Sequence, residues 1–138
     1  MIESEIDMVN KAAKIYKKQG FLVTTEVPFL HRSIDLVCKN AEEIISIEFK
    51  LSNWKRAIKQ AESHLLGSNK VYICILKPKK GISPLLKSEI ENSPIGLLFF
   101  DPDEETIEEI KPAEISKKIW AVGKYWLNKS FEERINAV

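Results

Sequence analysis

Apolar residues recur along the chain at two spacings, one typical of helices and one typical of strands. One apolar stripe at helical spacing consists of Ile2, Ile6, Val9, Ala13 and Tyr16, and it indicates a helix over residues 3–18. This stripe predicts a first helix, which Gly20 ends. The same spacing predicts helices over residues 53–66, 83–92 and 112–136, and Pro112 would occupy a first-turn position of the last one.

Short runs rich in β-branched and aromatic residues predict five strands. They cover residues 21–27, 33–39, 44–50, 70–76 and 95–100. Pro28 should end the first strand, and residues 40–43 should form a hairpin turn. The run 70–76 is almost entirely apolar, as in a strand that is covered on both faces. Residues 101–109 are predicted to be a solvated acidic loop.

The predicted order of elements is α-β-β-β-α-β-α-β-α. A strand meander followed by two strand–helix crossovers predicts a mixed α/β fold, with helices on both faces of a mixed sheet. The length of 138 residues fits one domain, residues 1–138.

Composition and charge indicate which broad classes of protein the chain can belong to. No apolar run approaches the roughly 18 residues of a membrane span, and the acidic start of the chain does not resemble an export signal. A cytoplasmic protein is expected, with Cys38 and Cys74 as buried free thiols. The net charge is only +1, but residues 45–90 hold nine Lys or Arg against three acids. Residues 101–110 hold six acids and no base, so the charge is segregated.

Candidate chemistry begins on the strand over residues 44–50. Alternation places Ile45, Ile47 and Phe49 on one face and the polar residues Ser46, Glu48 and Lys50 on the other. Glu48 and Lys50 therefore point the same way, about 7 Å apart along the strand.

Asp35 lies between apolar residues of the preceding strand, where a charge is costly unless it is paired or binds a metal ion. A hairpin could bring it beside Glu48, and a hard divalent cation would relieve the repulsion between the two carboxylates. The main-chain carbonyl of Phe49 could be a further ligand. Lys50 could position a metal-activated water or stabilise developing negative charge.

Asp35, a spacer of a dozen residues and then Glu48-Phe49-Lys50 resemble the signature of the PD-(D/E)XK nuclease superfamily. The order helix, three-strand meander, helix, strand over about residues 3–76 also resembles the restriction-endonuclease-like core of that superfamily. Residues 82–138, with an added C-terminal helix, lie outside the resemblance. The proline that often precedes the aspartate is absent, since Ser33-Ile34 stand before Asp35.

This resemblance implies a nuclease that hydrolyses phosphodiester bonds, in DNA above all, with Mg²⁺ or Mn²⁺ as cofactor. Asp35, Glu48 and Phe49 would bind the metal, and Asp35, Glu48 and Lys50 would form the catalytic set. Some branches, including archaeal Holliday junction resolvases, add an acid on the first helix. Glu5 is the match here, because it falls within the apolar stripe of that helix, and it would join the catalytic set by assisting at the metal or at a second water.

The helix after the motif carries Lys55, Arg56, Lys59 and Gln60, which are predicted to contact nucleic acid. His31 and His64 have no partner at ligand spacing and are left out of the site. Ile119, Trp120 and Trp126 are interpreted as core or dimer contacts rather than base-stacking platforms, and many relatives in the superfamily are homodimers.

Two alternatives remain open at this level. The first is a nucleic-acid-binding or scaffold domain that keeps the fold without catalysis. The second is a protein-interaction module in which the motif charges form a surface salt bridge. The triplet acid-x-Lys is weak by itself, since it recurs at Glu109 to Lys111, where it is predicted to belong to a charged surface loop.

Overall fold

A computed structural model describes residues 4–136 as four helices around one six-stranded sheet. The helices are α1 (Glu5–Lys18), α2 (Trp54–Glu62), α3 (Pro84–Glu91) and α4 (Ala121–Asn136). The strands are β1 (Leu22–Phe29), β2 (Arg32–Lys39), β3 (Ile44–Lys50), β4 (Lys70–Leu76), β5 (Gly96–Asp101) and β6 (Thr106–Lys111). A single 3-10 turn, Ser63–Leu66, follows α2 directly, where the sequence predicted that the helix would continue.

The strands lie side by side in chain order, from β1 to β6. Antiparallel pairs join β1 to β2, β2 to β3 and β5 to β6. Parallel pairs join β3 to β4 and β4 to β5, because α2 and α3 carry the chain back between them. The predicted mixed sheet with helices on both of its faces is therefore confirmed.

Each face of the sheet has its own apolar cluster. On one face Met8, Val9 and Ala12 of α1 pack on strand residues such as Ile47 and Phe49. On the other face α2 and α3 cover Val71, Ile73 and Ile75 of β4 and the side chains beside them. β4 is thus covered on both sides, as its apolar sequence predicted. A third cluster, which includes Leu127 and Phe131, joins α4 to β1 and β2.

The first helix differs in detail from its predicted stripe. The Ser4 hydroxyl accepts a hydrogen bond from the Asp7 N–H at 3.1 Å and caps α1. Met8 is buried, whereas Ile6 is 66% exposed, so Ile6 is not part of the buried face. Ile2 lies outside the described residues.

Two predictions at the edges of the sheet were wrong. β1 continues through Pro28 to Phe29; the proline is tolerated because β1 is an edge strand. The chain after Asp101 is not wholly a loop, since residues 106–111 form β6, which pairs with β5.

The last helix is shorter than predicted. It begins at Ala121 rather than Pro112, and residues 112–120 form an irregular segment that crosses the end of the molecule. Main-chain hydrogen bonds fix this segment: Ser116 N–H donates to the Asn69 carbonyl at 2.7 Å, and Trp120 N–H to the Leu66 carbonyl at 3.0 Å. A helix through these positions would forgo both contacts.

Cys38 and Cys74 are buried free thiols, as expected. Over residues 4–136, no helix has the length and apolar character that a membrane crossing requires.

Candidate functional site

The strands β2 and β3 separate where the two candidate carboxylates stand. Their register runs from Lys39 opposite Ile44 to Leu36 opposite Ile47 and stops there. If the pairing continued by one residue, Asp35 would lie opposite Glu48. In place of a ladder bond, the Asp35 carboxylate (Oδ2) accepts the N–H of Phe49 at 2.8 Å. The Phe49 carbonyl points to the same gap, because the N–H and C=O of a strand residue lie on one side.

A cavity of about 240 Å³ opens at this gap. Its walls are almost entirely polar and bring together Glu5, Arg32, Ser33, Asp35, Glu48, Lys50 and Gln60. The four residues predicted to be catalytic, Glu5, Asp35, Glu48 and Lys50, therefore share one concave surface. They come from α1, β2 and β3, which meet only in the folded protein.

Burial and mutual repulsion govern the two central carboxyl groups. Burial, followed by the nearby charge of Glu48, raises the pKa of Asp35 from its ordinary value to about 7. Burial also raises the pKa of the Glu48 carboxyl, and that side chain is only 4% exposed. Near neutral pH this pair readily shares a proton, and a cation could take the place of that proton.

His64 binds the side of Glu48 that faces away from the gap. Its Nε2 lies 2.6 Å from Glu48 Oε1, and the ring is fully buried. Burial lowers the pKa of His64 to about 4, so the ring is neutral near pH 7. Where Glu48 is ionised, Nε2–H is the donor and Nδ1, 3.4 Å from the Ser63 hydroxyl, is the unprotonated ring nitrogen. A hydrogen bond from an uncharged ring, not an ion pair, therefore orients Glu48.

Lys50 stands at the mouth of the cavity with Glu5 beside it. The Lys50 ammonium lies 3.7 Å from Glu5 Oε1. The other carboxylate oxygen, Oε2, accepts the N–H of Leu51 at 3.2 Å. Glu5 thus ties the first turn of α1 to the end of β3 and holds the ammonium near the Asp35 and Glu48 carboxylates.

The donor set at the gap suits a hard cation. It offers the Asp35 and Glu48 carboxylates and the Phe49 carbonyl, all oxygen ligands. Among residues 4–136, no group of three or more Asp, Glu, His or Cys side chains is placed to hold a metal ion. Mg²⁺ commonly binds through one or two carboxylates and keeps several waters, so this set is compatible with it.

The predicted nucleic-acid contacts divide into two groups. Gln60 lines the cavity. Lys55, Arg56 and Lys59 are exposed on the outer side of α2, and none of the three lines the cavity. They form a basic surface next to the site rather than part of its wall.

The second acid-x-Lys triplet lies on β6, not in a surface loop, which corrects the prediction. Lys111 donates to the carbonyls of Ile90 at 2.7 Å and Ile95 at 3.1 Å, and to that of Ser93. Glu109 accepts a hydrogen bond from the Tyr72 hydroxyl at 3.0 Å. This triplet has a structural function far from the cavity.

Sequence reasoning missed three residues of the site. Arg32 and Ser33 line the cavity from the start of β2, and His64 binds Glu48. His64 was set aside because it has no partner at ligand spacing, but its partner is 16 residues away on β3. The available signal was the helical spacing that places His64 on the same face as Ala57 and Ala61.

No protein-family profile matches the chain, and no curated protein matches it in sequence. Among solved structures, the SPO1766 protein of unknown function from Silicibacter pomeroyi is similar with a TM-score of 0.71. The two are 17% identical, over 99% of this chain and 90% of that chain. An FdxN element excision controlling factor protein from Anabaena variabilis reaches a TM-score of 0.46 at 16% identity, over 76% of this chain and 99% of that chain. The first likeness shows that this mixed α/β fold also occurs in another protein.

Proposed function

We propose that the protein is a metal-dependent nuclease of the PD-(D/E)XK type, with a restriction-endonuclease-like core, that hydrolyses phosphodiester bonds in DNA. The observation that carries the proposal is the cavity where β2 and β3 separate. It gathers Asp35, Glu48 and Lys50 from two strands, with Glu5 from α1. A buried and a partly buried carboxylate beside an ammonium are costly to assemble, which favours a functional reason for their presence.

Asp35, Glu48 and the Phe49 carbonyl would hold Mg²⁺ or Mn²⁺. When bound, such a cation polarises a phosphoryl oxygen and lowers the pKa of a coordinated water. The ammonium of Lys50 orients the attacking water and stabilises the negative charge that develops on the phosphoryl oxygens. Glu5 keeps that ammonium in place through its 3.7 Å contact.

His64 and Gln60 complete the arrangement from α2 and the turn after it. His64 occupies one oxygen of Glu48 and so fixes the direction of the other. Gln60 presents an amide to the cavity, where it can bind a phosphate oxygen. The exposed residues Lys55, Arg56 and Lys59 supply sequence-independent attraction for the DNA backbone.

The test compares two glutamates from the two acid-x-Lys triplets. Glu48→Gln removes a carboxylate from the cavity, whereas Glu109→Gln changes the triplet on β6 and keeps its ability to accept from Tyr72. Both variants and the wild type are incubated with labelled linear duplex, single strand, flap and four-way junction, with Mg²⁺ or Mn²⁺. Calorimetry measures the binding of each cation.

Wild type and Glu109→Gln should cut at least one of these DNAs, and chelator should abolish cutting. Glu48→Gln should lose cleavage by at least about 100-fold, as for loss of one major electrostatic catalytic group. If wild type binds no cation and cuts none of the DNAs, the nuclease proposal fails. DNA binding without cutting would instead favour a non-catalytic nucleic-acid-binding domain.

A further inference from the structure

A second cavity adjoins the candidate site and contains an exposed tryptophan. Trp126 of α4, predicted to make a core or dimer contact, is 50% exposed and so is not part of the core of this chain. It lines a cavity of about 590 Å³ together with Phe29 and Leu30 from the end of β1. Trp126 therefore offers open aromatic surface next to an apolar wall.

The second cavity adjoins the first. Arg32 and Ser33, at the start of β2, line both of them. A chain molecule lying across Arg32 could place one unit against Asp35 and Glu48 and the next unit against Trp126.

The charge of the second cavity suits an anionic polymer. Its described lining includes the Arg32 guanidinium but no acid. The Lys129 ammonium lies 5.1 Å from the centre of the Trp126 ring. The large cavity between the β2–β3 turn and α4, which Lys129 lines, differs because three acids, Glu42, Glu43 and Glu132, accompany its three lysines. A guanidinium beside apolar and aromatic walls matches the phosphate and base of a nucleotide.

The turn that forms one wall is the two-residue turn of the β1–β2 hairpin. Phe29 pairs with Arg32, and Leu30 and His31 between them have φ values of 48° and 68°. Positive φ at both central residues is what a type I′ hairpin turn requires. Here the turn exposes Leu30, which is 40% exposed, beside Trp126.

We propose that this second cavity is a subsite for an unpaired nucleobase next to the scissile phosphate. Trp126 stacks on the base, and Arg32 binds the phosphate that links the two cavities. The inference rests on the proposed nuclease function and specifies its substrate: DNA with unpaired nucleotides at the cleavage position, such as a flap, an overhang or a single strand.

The experiment compares Trp126→Ala and Trp126→Phe with a matched control, Trp120→Ala. Trp120 is 49% exposed but does not line the cavity. Binding of a blunt duplex and of the same duplex with a single-stranded overhang is measured by fluorescence anisotropy in chelator. Cleavage of both is measured with Mg²⁺, and thermal melting and sedimentation report folding and oligomeric state.

Trp126→Ala should weaken binding of the overhang DNA by about 5- to 150-fold, the loss expected for one base–aromatic stack. Binding of the blunt duplex should stay within about twofold, Trp126→Phe should keep most of the overhang affinity, and Trp120→Ala should match wild type. Cleavage should follow the same order.

Several results would overturn the subsite. One is a wild type that cuts both DNAs while Trp126→Ala leaves the overhang preference unchanged. Another is a Trp126→Ala variant that changes the sedimentation coefficient and loses both DNAs equally, which would assign Trp126 to contact with a second copy. In both results the nuclease proposal stands and the subsite falls. A wild type that binds and cuts no DNA would remove the nuclease proposal itself.

Discussion

The Glu48 carboxylate illustrates at the scale of one residue how burial and orientation act together. It is held between Asp35 across the gap and the neutral ring of His64. Because His64 donates through Nε2 to Oε1, it restricts the rotation of the carboxylate and leaves one oxygen directed to the cavity.

Replacing His64 should therefore weaken cation binding and cleavage together. We expect His64→Ala to lower both by about 10- to 100-fold, the range found for partners that orient metal ligands. His64→Gln, which keeps an N–H donor, should recover part of the loss at a similar folded stability. Calorimetric cation titration and cleavage rates measure the effects. Equal defects in both variants would assign His64 to packing alone.

The raised pKa of Asp35 gives a test that is independent of catalysis. Between about pH 4 and about pH 7 the folded protein holds a proton on Asp35 that the unfolded chain has released. The contribution of Asp35 to stability therefore falls as the pH rises through this window. The contribution of His64 to stability changes with pH in the opposite direction. Burial lowers its pKa from 6.5 to about 4, so its contribution is lost as the pH falls through this range.

Asp35→Asn should remove the contribution of Asp35 to this pH dependence. Urea unfolding in chelator would give the free energy of unfolding of wild type and variant across the window. The difference between them should shift in favour of the variant as the pH rises, because asparagine has no charge to be desolvated or to repel Glu48. A constant difference would show that Asp35 has an ordinary pKa.

The sequence predicted those site residues that a local pattern marks, and it missed those whose partners are distant in the chain. Asp35, Glu48 and Lys50 were found because a charge in an alternating strand is a local signal. His64 could not be found in this way, since its contact with Glu48 exists only after α2 ends in a 3-10 turn and crosses back over β3. Arg32 reaches the site because β2 begins one residue earlier than predicted.

At the scale of elements, one side chain joins α3, β5 and β6. Lys111 of β6 donates to main-chain carbonyls at the end of α3 and the start of β5. Burial lowers the pKa of its ammonium, which is stabilised by those three acceptors. Lys111→Met keeps most of the apolar stem and removes the donors. It should lower the free energy of unfolding by about 1–3 kcal/mol, measured by urea denaturation.

The same variant separates stability from function. Cleavage per folded molecule should stay close to wild type, because β6 lies at the opposite end of the sheet from β2. A parallel loss of cation binding would contradict this separation.

The elements that sequence patterns missed are those held by distant partners. Residues 106–111 are acidic and show little apolar alternation, so they were predicted to be loop; pairing with the buried strand β5 makes them β6. Residues 112–120 have a helical pattern, yet their N–H groups bind Asn69 and Leu66 instead. In contrast, β3 and β4 matched their predicted limits, since their own apolar residues decide their burial.

At the scale of the whole molecule, basic and acidic residues belong to different parts of the sheet. The sequence from 45 to 90 is basic, and it contains β3, α2, β4 and α3 around one half of the fold. The acidic stretch 101–110 belongs to β5, β6 and the turn between them, at the far edge. A polyanion should therefore approach from the side of α2 rather than from β6.

This orientation predicts how DNA binding depends on salt. If Lys55, Arg56 and Lys59 each contact a phosphate, replacing all three by Gln should make the plot of log affinity against log salt shallower by about 2.7, since each contact contributes about 0.9. The control replaces Lys14, Lys17 and Lys18, exposed at the other end of α1 from Glu5, and changes net charge by the same amount. Fluorescence anisotropy in chelator at several salt concentrations gives both slopes. Equal changes would mean that net charge alone attracts DNA; a change confined to the α2 variant would place the DNA backbone across α2, beside the cavity that holds Asp35 and Glu48.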